Sequence, residues 1–214
     1  GDAGLLSRER GDPGRAVRPY VDHSTNAFGE GAVTLLLESC AHAERRGARI
    51  LATIGGYKYG NSGDHPTHVD VSGIRPAQVI GSLLDTAHIT PQQIQFVVGH
   101  GNGVQSSDIA EMNYMRQLFG PRTASVPLIS TKPIYGHMLG AASALNVAAA
   151  ALMIHHQYLI PTINIDVDRG PSGMNFQANQ GTPSCCQAGI ASAFGLGGHN
   201  VALLLRQPQS EEQE

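Results

Sequence analysis

Apolar and polar positions along the chain fall into short blocks that switch between two periods. Residues 32–38 (AVTLLLE) form an apolar run of strand length, and the polar, alanine-containing stretch 39–47 predicts a helix that stops at Gly47. Ile, Thr and Tyr crowd residues 50–59 and predict a strand, followed by a polar loop over 61–69 that carries Asp64, His65 and His68. Between 72 and 87 the residues Ile74, Ala77, Ile80, Leu83, Leu84 and Ala87 recur on one side at helical spacing. Thr90-Pro91 opens a capped turn. Residues 94–98 predict a short buried strand ended by Gly99-His100-Gly101-Asn102-Gly103, and Ser107 or Asp108 can cap a helix running to about Phe119. A further short strand is expected at 126–130, and a long alanine-rich helix within 134–157. Residues 188–206 read as two strands joined by the turn Gly195-Leu196-Gly197-Gly198. Before all of these, residues 1–31 are rich in Gly, Pro, Arg and Asp and read as an irregular lead-in. Strand and helix alternate, which implies an α/β architecture.

Composition sharpens this picture in three ways. The 214 residues suffice for one domain with a core, yet only 14% are charged, against about 25% in average domains. Part of the surface is therefore expected to be covered by another protein surface. The formal net charge of -3 argues against nucleic acid or an anionic membrane as the main partner. Cys40, Cys185 and Cys186 have no metal or redox spacing, and an odd count without a disulfide framework suits a reducing cytoplasm. Adjacent Cys185 and Cys186 would point to opposite faces of a strand. The longest apolar run, 138–154, contains Ser143 and Asn146 between His137 and His155, and reads as a buried helix rather than a membrane span. The chain starts at Gly1 without Met, so its opening reads as the interior of a larger protein or as a product of processing or splitting.

Three segments end strands in glycine-flanked polar residues: 98–101 (VGHG), 130–137 (STKPIYGH) and 194–200 (FGLGGHN). Catalytic groups of α/β folds gather where strands end and glycine lets a ligand approach the backbone. Two histidines and a lysine so placed suit stabilisation of an enolate or oxyanion, the lysine setting the proton state of a neighbouring imidazole. Each feature alone also has an ordinary reading: His100 as a loop hydrogen-bonder, Lys132 as a solvated charge, residues 195–198 as a hairpin turn. The glycines at 195–198 are not a phosphate loop, because no GK[ST] follows. His23, His65, His68, His155, His156 and His199 show no ligand spacing, and no metal is expected.

Together these strings resemble a known family. STKPIYGHMLGAASALN at 130–146 is similar to the lysine–histidine block of β-ketoacyl-[acyl carrier protein] synthases of the thiolase-like superfamily. HG at His100, with Asp108 and Glu111, resembles the family's first histidine block, and IASAFGLGGHNVALLL at 190–205 its C-terminal glycine-rich hairpin. FGEGAVTLLLE at 28–38, IPTIN at 160–164 and the opening GLLSRERGDPGRAVRPY match as well, in family order. The resemblance implies the second half of the layered α-β-α-β-α thiolase-like fold. That gives a connecting segment at 1–31, a half-domain at 32–206 and a polar tail at 207–214. The nucleophilic cysteine would lie in a missing N-terminal half, leaving all three cysteines here structural. His100 and His137 would assist decarboxylation of a malonyl extender, with Lys132 ordering the charge beside His100. Asp108 and Glu111 would support from behind. Phe194 would gate the acyl pocket, and its backbone N–H would complete an oxyanion hole. The substrate would arrive on the phosphopantetheine arm of an acyl carrier protein, with no cofactor bound. Asn102, Val104, Gly195 and Leu196 would line the arm's path.

Departures from the family pattern lie around the acid–base residues. The usual HGTST is here His100-Gly101-Asn102-Gly103-Val104, so two threonine hydroxyls become Asn102 and Val104. Ser24-Thr25-Asn26 replace the usual DGF, Leu196 the second hairpin aromatic, and His199 the usual Thr. These changes imply an unusual synthase of specialised polyketide or fatty-acid synthesis. It would pair with its N-terminal half and then with a second copy or a chain-length-factor-like subunit. A different reading makes the chain itself a non-catalytic, chain-length-factor-like partner that shapes another synthase's pocket. Retention of His100, Lys132 and His137 favours the enzyme. The lysine–histidine block argues against a third reading, a thiolase or a type III synthase that uses coenzyme A.

Overall fold

The computed structural model describes residues 4–67, 69–166 and 173–208. His68 and the tail beyond Pro208 lie outside these residues. In chain order the elements are α1 (Cys40–Arg45), β1 (Thr53–Asn61), α2 (Ile74–Thr86), β2 (Phe96–Val98), α3 (Gln105–Phe119), β3 (Leu128–Ile129), α4 (Lys132–Tyr135), α5 (Ala142–His156), β4 (Tyr158–Leu159), β5 (Thr182–Pro183), β6 (Ala188–Gly195) and β7 (His199–Arg206). Five strands form one sheet in the order β1-β7-β6-β2-β3. β7 runs antiparallel to both β1 and β6, whereas β6, β2 and β3 are mutually parallel.

Helices cover both faces of this sheet. Ile80 and Leu83 of α2 and Tyr114 and Met115 of α3 pack with Val97, Ile190 and Leu204 on one face. On the other, Ala150, Met153 and Ile154 of α5 pack with Phe96, Val98, Ile129, Ala191 and Leu205. Successive residues of β2 and β6 thus feed opposite cores, which is why each reads as a continuous apolar run rather than an alternation. The parallel pairing sets Gly189 opposite Phe96. A Cβ at Gly189 would sit 2.2 Å from Cζ of the Phe96 ring, so the ring occupies the space a side chain would need.

Most expected elements form, and three expectations are corrected. Residues 32–38 carry no strand: the run has no ladder partner among the described residues, and Leu36 is 78% exposed with Leu35 and Leu37 also open. An apolar run becomes a strand only where another strand supplies hydrogen bonds. Ser107 and Asp108 do not cap α3; they are buried inside its first turn, and the helix begins at Gln105. Asn102 Oδ1 accepts from Val104 N–H (3.0 Å) and Ser24 Oγ from Gln105 N–H (3.3 Å), so the capping groups lie outside the expected window. Finally, α5 is only half buried. The stretch Leu139–His156 is apolar and long enough to cross a membrane by length and composition, with a mean hydropathy of 1.3. It lies along the sheet, burying Asn146, Ala150, Met153 and Ile154 while Leu152 is exposed. A helix apolar around its whole circumference is suited to enclosure on both sides.

The irregular opening segment joins the core. Tyr20 is buried and its ring stacks on Phe176 with centroids 4.4 Å apart. Cys186 is buried against α5, whereas Cys40 and Cys185 are exposed.

The Gly189–Phe96 contact predicts that Gly189→Ala destabilises the chain by about 1–3 kcal/mol through overpacking. Urea denaturation measures this as a lowered midpoint; an unchanged midpoint would contradict the packing.

Candidate active site

β2, β3 and β6 run in one direction, so their C-terminal ends meet along one edge of the sheet. His100 follows β2, Lys132 follows β3 and opens α4, and Phe194 lies near the end of β6. His137 arrives from the loop after α4 and is held by the opening segment. Its N–H donates to Ala27 C=O (2.8 Å), and its C=O accepts from Gly29 N–H (3.1 Å). A Cβ on Gly29 would lie 2.0 Å from the Tyr135 carbonyl oxygen, so only glycine permits this crossing.

The rings converge. His100, 7% exposed, has its ring centroid 5.5 Å from that of His137, with the planes nearly perpendicular, and 5.6 Å from that of Phe194. The His100 backbone is clamped at both ends: its N–H donates to Glu111 Oε1 (2.6 Å), and its C=O accepts from Lys132 Nζ. Gly101 N–H donates to Glu111 Oε2, and the hydroxyls of Tyr20 and Tyr114 each approach a Glu111 oxygen at 3.3 Å. Glu111 is fully buried, with two backbone N–H groups and two tyrosine hydroxyls around its two oxygens. Asp108 Oδ2 accepts from Tyr20 N–H (2.7 Å), while its buried Oδ1 has no hydrogen-bond partner among the described residues.

Burial dominates the electrostatics. It pushes Glu111 up, against the pull of the Gly101 and His100 N–H groups, and pushes Asp108 well up. It lowers Lys132 to about 8, opposed by the charges of Glu111 and Asp108. Both imidazoles are driven down, by burial first and the Lys132 charge second: His100 well below the usual range, His137 to about 4. Leu139 N–H donates to His137 Nδ1 (3.2 Å), so the neutral ring carries its proton on Nε2. Two neutral imidazoles beside a buried ammonium can donate hydrogen bonds to an oxygen that gains negative charge.

Of the residues expected at a site, His100, Lys132, His137, Glu111, Asp108 and Phe194 come together around one strand-end cluster. Asn102 and Val104 are buried, with the Asn102 oxygen committed to the start of α3. Gly195 and Leu196 lie at the exposed hairpin tip, Leu196 being 73% exposed. Among the described residues no cluster of His, Cys, Asp and Glu suits a metal ion. Sequence reasoning missed Tyr20, Tyr114, Ser192 and Asn146. Only Asn146 carried a legible signal, a lone carboxamide inside an apolar helix, which must find buried partners.

Comparison with known proteins identifies the family and the fold. Residues 51–166 match the family model described as β-ketoacyl synthase, C-terminal domain. The chain is 34% identical over 199 residues to the oxytetracycline polyketide putative β-ketoacyl synthase 1 of Streptomyces rimosus, covering 92% of this chain and 47% of that protein. It is 33% identical over 201 residues to 3-oxoacyl-[acyl-carrier-protein] synthase 2 of Mycobacterium bovis, covering 93% and 48%. Among solved structures it is similar to a β-ketoacyl synthase from Burkholderia phymatum, with a TM-score of 0.88 and 28% identity over 96% of this chain and 50% of that one. It is similar also to a type II polyketide acyl-carrier protein complex with its ketosynthase bound to the hexaketide, with a TM-score of 0.85, 30% identity, and 96% and 51% coverage. The mixed α/β architecture is that of thiolase-like ketosynthases, and the chain spans about half the length of the curated relatives it matches.

The lowered His137 predicts a neutral ring with its proton on Nε2 at pH 5.5, where an ordinary histidine near 6.5 is mostly charged. Histidine-selective NMR of the 214-residue chain reads both features; a titration midpoint near 6.5 would contradict them. The unfolded ring takes up a proton near 6.5 and the folded ring only near 4. The contribution of His137 is therefore complete above that window and drains as pH falls through it.

Proposed function

The chain belongs to the β-ketoacyl synthase family through that family's C-terminal domain, and from this we propose that it supplies the histidine–lysine half of a decarboxylative condensing site. A second half would bring the nucleophilic cysteine. The observation that carries this reading is the convergence of two neutral imidazoles, 5.5 Å apart, over a buried lysine and beside Phe194. In the proposed cycle, the cysteine thiolate takes an acyl group from its carrier thioester and releases the carrier thiol. A malonyl group on the phosphopantetheine arm of an acyl carrier protein then loses carbon dioxide. The electron pair left behind forms a thioester enolate, whose oxygen accepts hydrogen bonds from the imidazoles, His137 donating through Nε2. The enolate carbon attacks the acyl carbonyl, the carbon–sulfur bond to the cysteine breaks, and a β-ketoacyl thioester leaves on the carrier. The Phe194 N–H contributes to the oxyanion hole at the acyl carbonyl. Lys132 acts from beneath: its charge disfavours protonation of either ring, so both remain donors rather than cations.

Three features support a second half. Leu35, Leu36 and Leu37 form an apolar run without a sheet partner among the described residues. On α5, Leu152 is exposed and Leu145, Val147 and Ala151 are half-buried. Between them runs a groove of about 510 Å³, lined by Leu35, Leu37, Ile50, Leu51, Val147 and Ala151 among others. Burying such surface is the main driving force for association. We place the assembled enzyme in the cytoplasm, as a dimer or with a chain-length-factor-like subunit, working in specialised polyketide or fatty-acid synthesis. Asn102 and Val104, Gly195 and Leu196 are assigned to the path of the arm. The changed residues at 102 and 104 favour the second reading, a non-catalytic pocket-shaping subunit; His100, Lys132 and His137 favour catalysis.

Co-expression with a cysteine-bearing N-terminal half, followed by a malonyl-carrier decarboxylation assay, separates the two. His100→Ala and His137→Ala are each expected to slow carbon dioxide release by roughly 10²-fold. Release at the unsubstituted rate in both variants, with the halves still associated, would assign the chain to pocket shaping.

A further inference from the structure

We infer that Asn146 is the positioning residue that sets the spacing of the three strand ends bearing His100, Lys132 and Phe194. As a statement about the site it rests on the reading above. Asn146 lies on α5, is 1% exposed, and reaches the sheet from the side opposite α3. Its Nδ2 donates to Gly99 C=O (2.8 Å) and to Ser192 C=O (3.3 Å), while its Oδ1 accepts from the Thr131 hydroxyl (3.0 Å). Gly99 immediately precedes His100, Thr131 immediately precedes Lys132, and Ser192 lies two residues before Phe194. One carboxamide therefore touches all three segments, each within two residues of the group it presents.

The contact occurs where the sheet stops supplying bonds. The last rung of the β2–β6 ladder pairs Val98 with Ala191. Gly99 still sends its N–H to Ile129 C=O (2.8 Å), but its carbonyl lies beyond that rung, as does the carbonyl of Ser192. Two carbonyls facing one point need two donors, and a hydroxyl facing it needs an acceptor. A primary amide supplies this combination in one group; a carboxylate would set oxygen against oxygen, and an aliphatic side chain would leave both carbonyls unpaired. Ser192 is also gripped from the α3 side, where its Oγ bonds Tyr114 Oη (2.9 Å) and the Tyr114 ring meets Phe194 edge-on. The end of β6 is thus pinned from both faces.

The test uses Asn146→Asp in the 214-residue chain, with histidine and phenylalanine labelled for NMR. In the folded variant the His100 and Phe194 resonances are expected to move, while those of His155 and His156, at the far end of the same helix, stay in place. Wild-type positions for His100 and Phe194 would overturn the inference. Should Asn146→Asp fail to fold, Thr131→Val, which deletes only the hydroxyl that orients the amide, is expected to move the same two resonances, and their constancy would be equally fatal. In the assembled enzyme, Asn146→Asp is expected to lower kcat for decarboxylation about tenfold with KM changed less than about twofold, the signature of misplaced reacting groups. An unchanged kcat would also overturn it. Failure of the condensing-site reading shows separately, as wild-type decarboxylation by the His100 and His137 variants, and leaves the NMR outcome to decide the role of Asn146.

Discussion

A carboxylate and an ammonium, both buried, seize opposite ends of one residue's backbone, and the site is organised around that clamp. Glu111 takes the N–H of His100 and Lys132 takes its carbonyl. The side chain is left free to point at His137 and Phe194. Each group is desolvated, and it is held by its bond to the His100 backbone rather than by a direct ion pair with the other. The value of the clamp is positional. The strand end cannot drift without breaking a bond to a charged group, and those charges need the surrounding donors to be tolerable at all. Tyr20 and Tyr114 complete the set around Glu111, drawing the irregular opening segment and α3 into one network.

The same burial that makes the clamp expensive makes the imidazoles useful. A ring withdrawn from water beside an ammonium resists protonation, so at neutral pH it donates a hydrogen bond without carrying a charge of its own. The backbone N–H of Leu139 on Nδ1 of His137 leaves only Nε2 to do this. Residue chemistry, loop geometry and local field thus agree on one role for the ring.

The periphery obeys a different constraint. Low charge, the exposed leucines at 35–37 and the exposed Leu152 of α5 leave apolar side chains open to water on this flank, and the proposed second half rests on them. Both faces of the sheet are covered by helices of this chain. Asn102 and Val104 are buried at the start of α3, where Asn102 Oδ1 accepts from Val104 N–H, and neither takes part in the clamp.

Periodicity alone determined the order of strands and helices and the apolar faces of α2 and β2, because these depend on local spacing. The strings around His100, Lys132 and His137 marked these residues as candidates through their combined resemblance to one family, since each glycine-flanked polar group alone also has an ordinary reading. Tertiary structure decided what spacing cannot encode. Residues 32–38 have the composition of a strand but find no ladder here, since pairing is a property of two segments and not of one. The helix starts at Gln105 and not at Ser107 because Asn102 and Ser24 offer better-placed oxygens. Tyr20 reaches Glu111 across 91 positions and Tyr114 reaches Ser192 across 78; a hydrogen bond between such distant positions leaves no mark on the local pattern of either partner, and the lone carboxamide of Asn146 showed a need for buried partners without showing which.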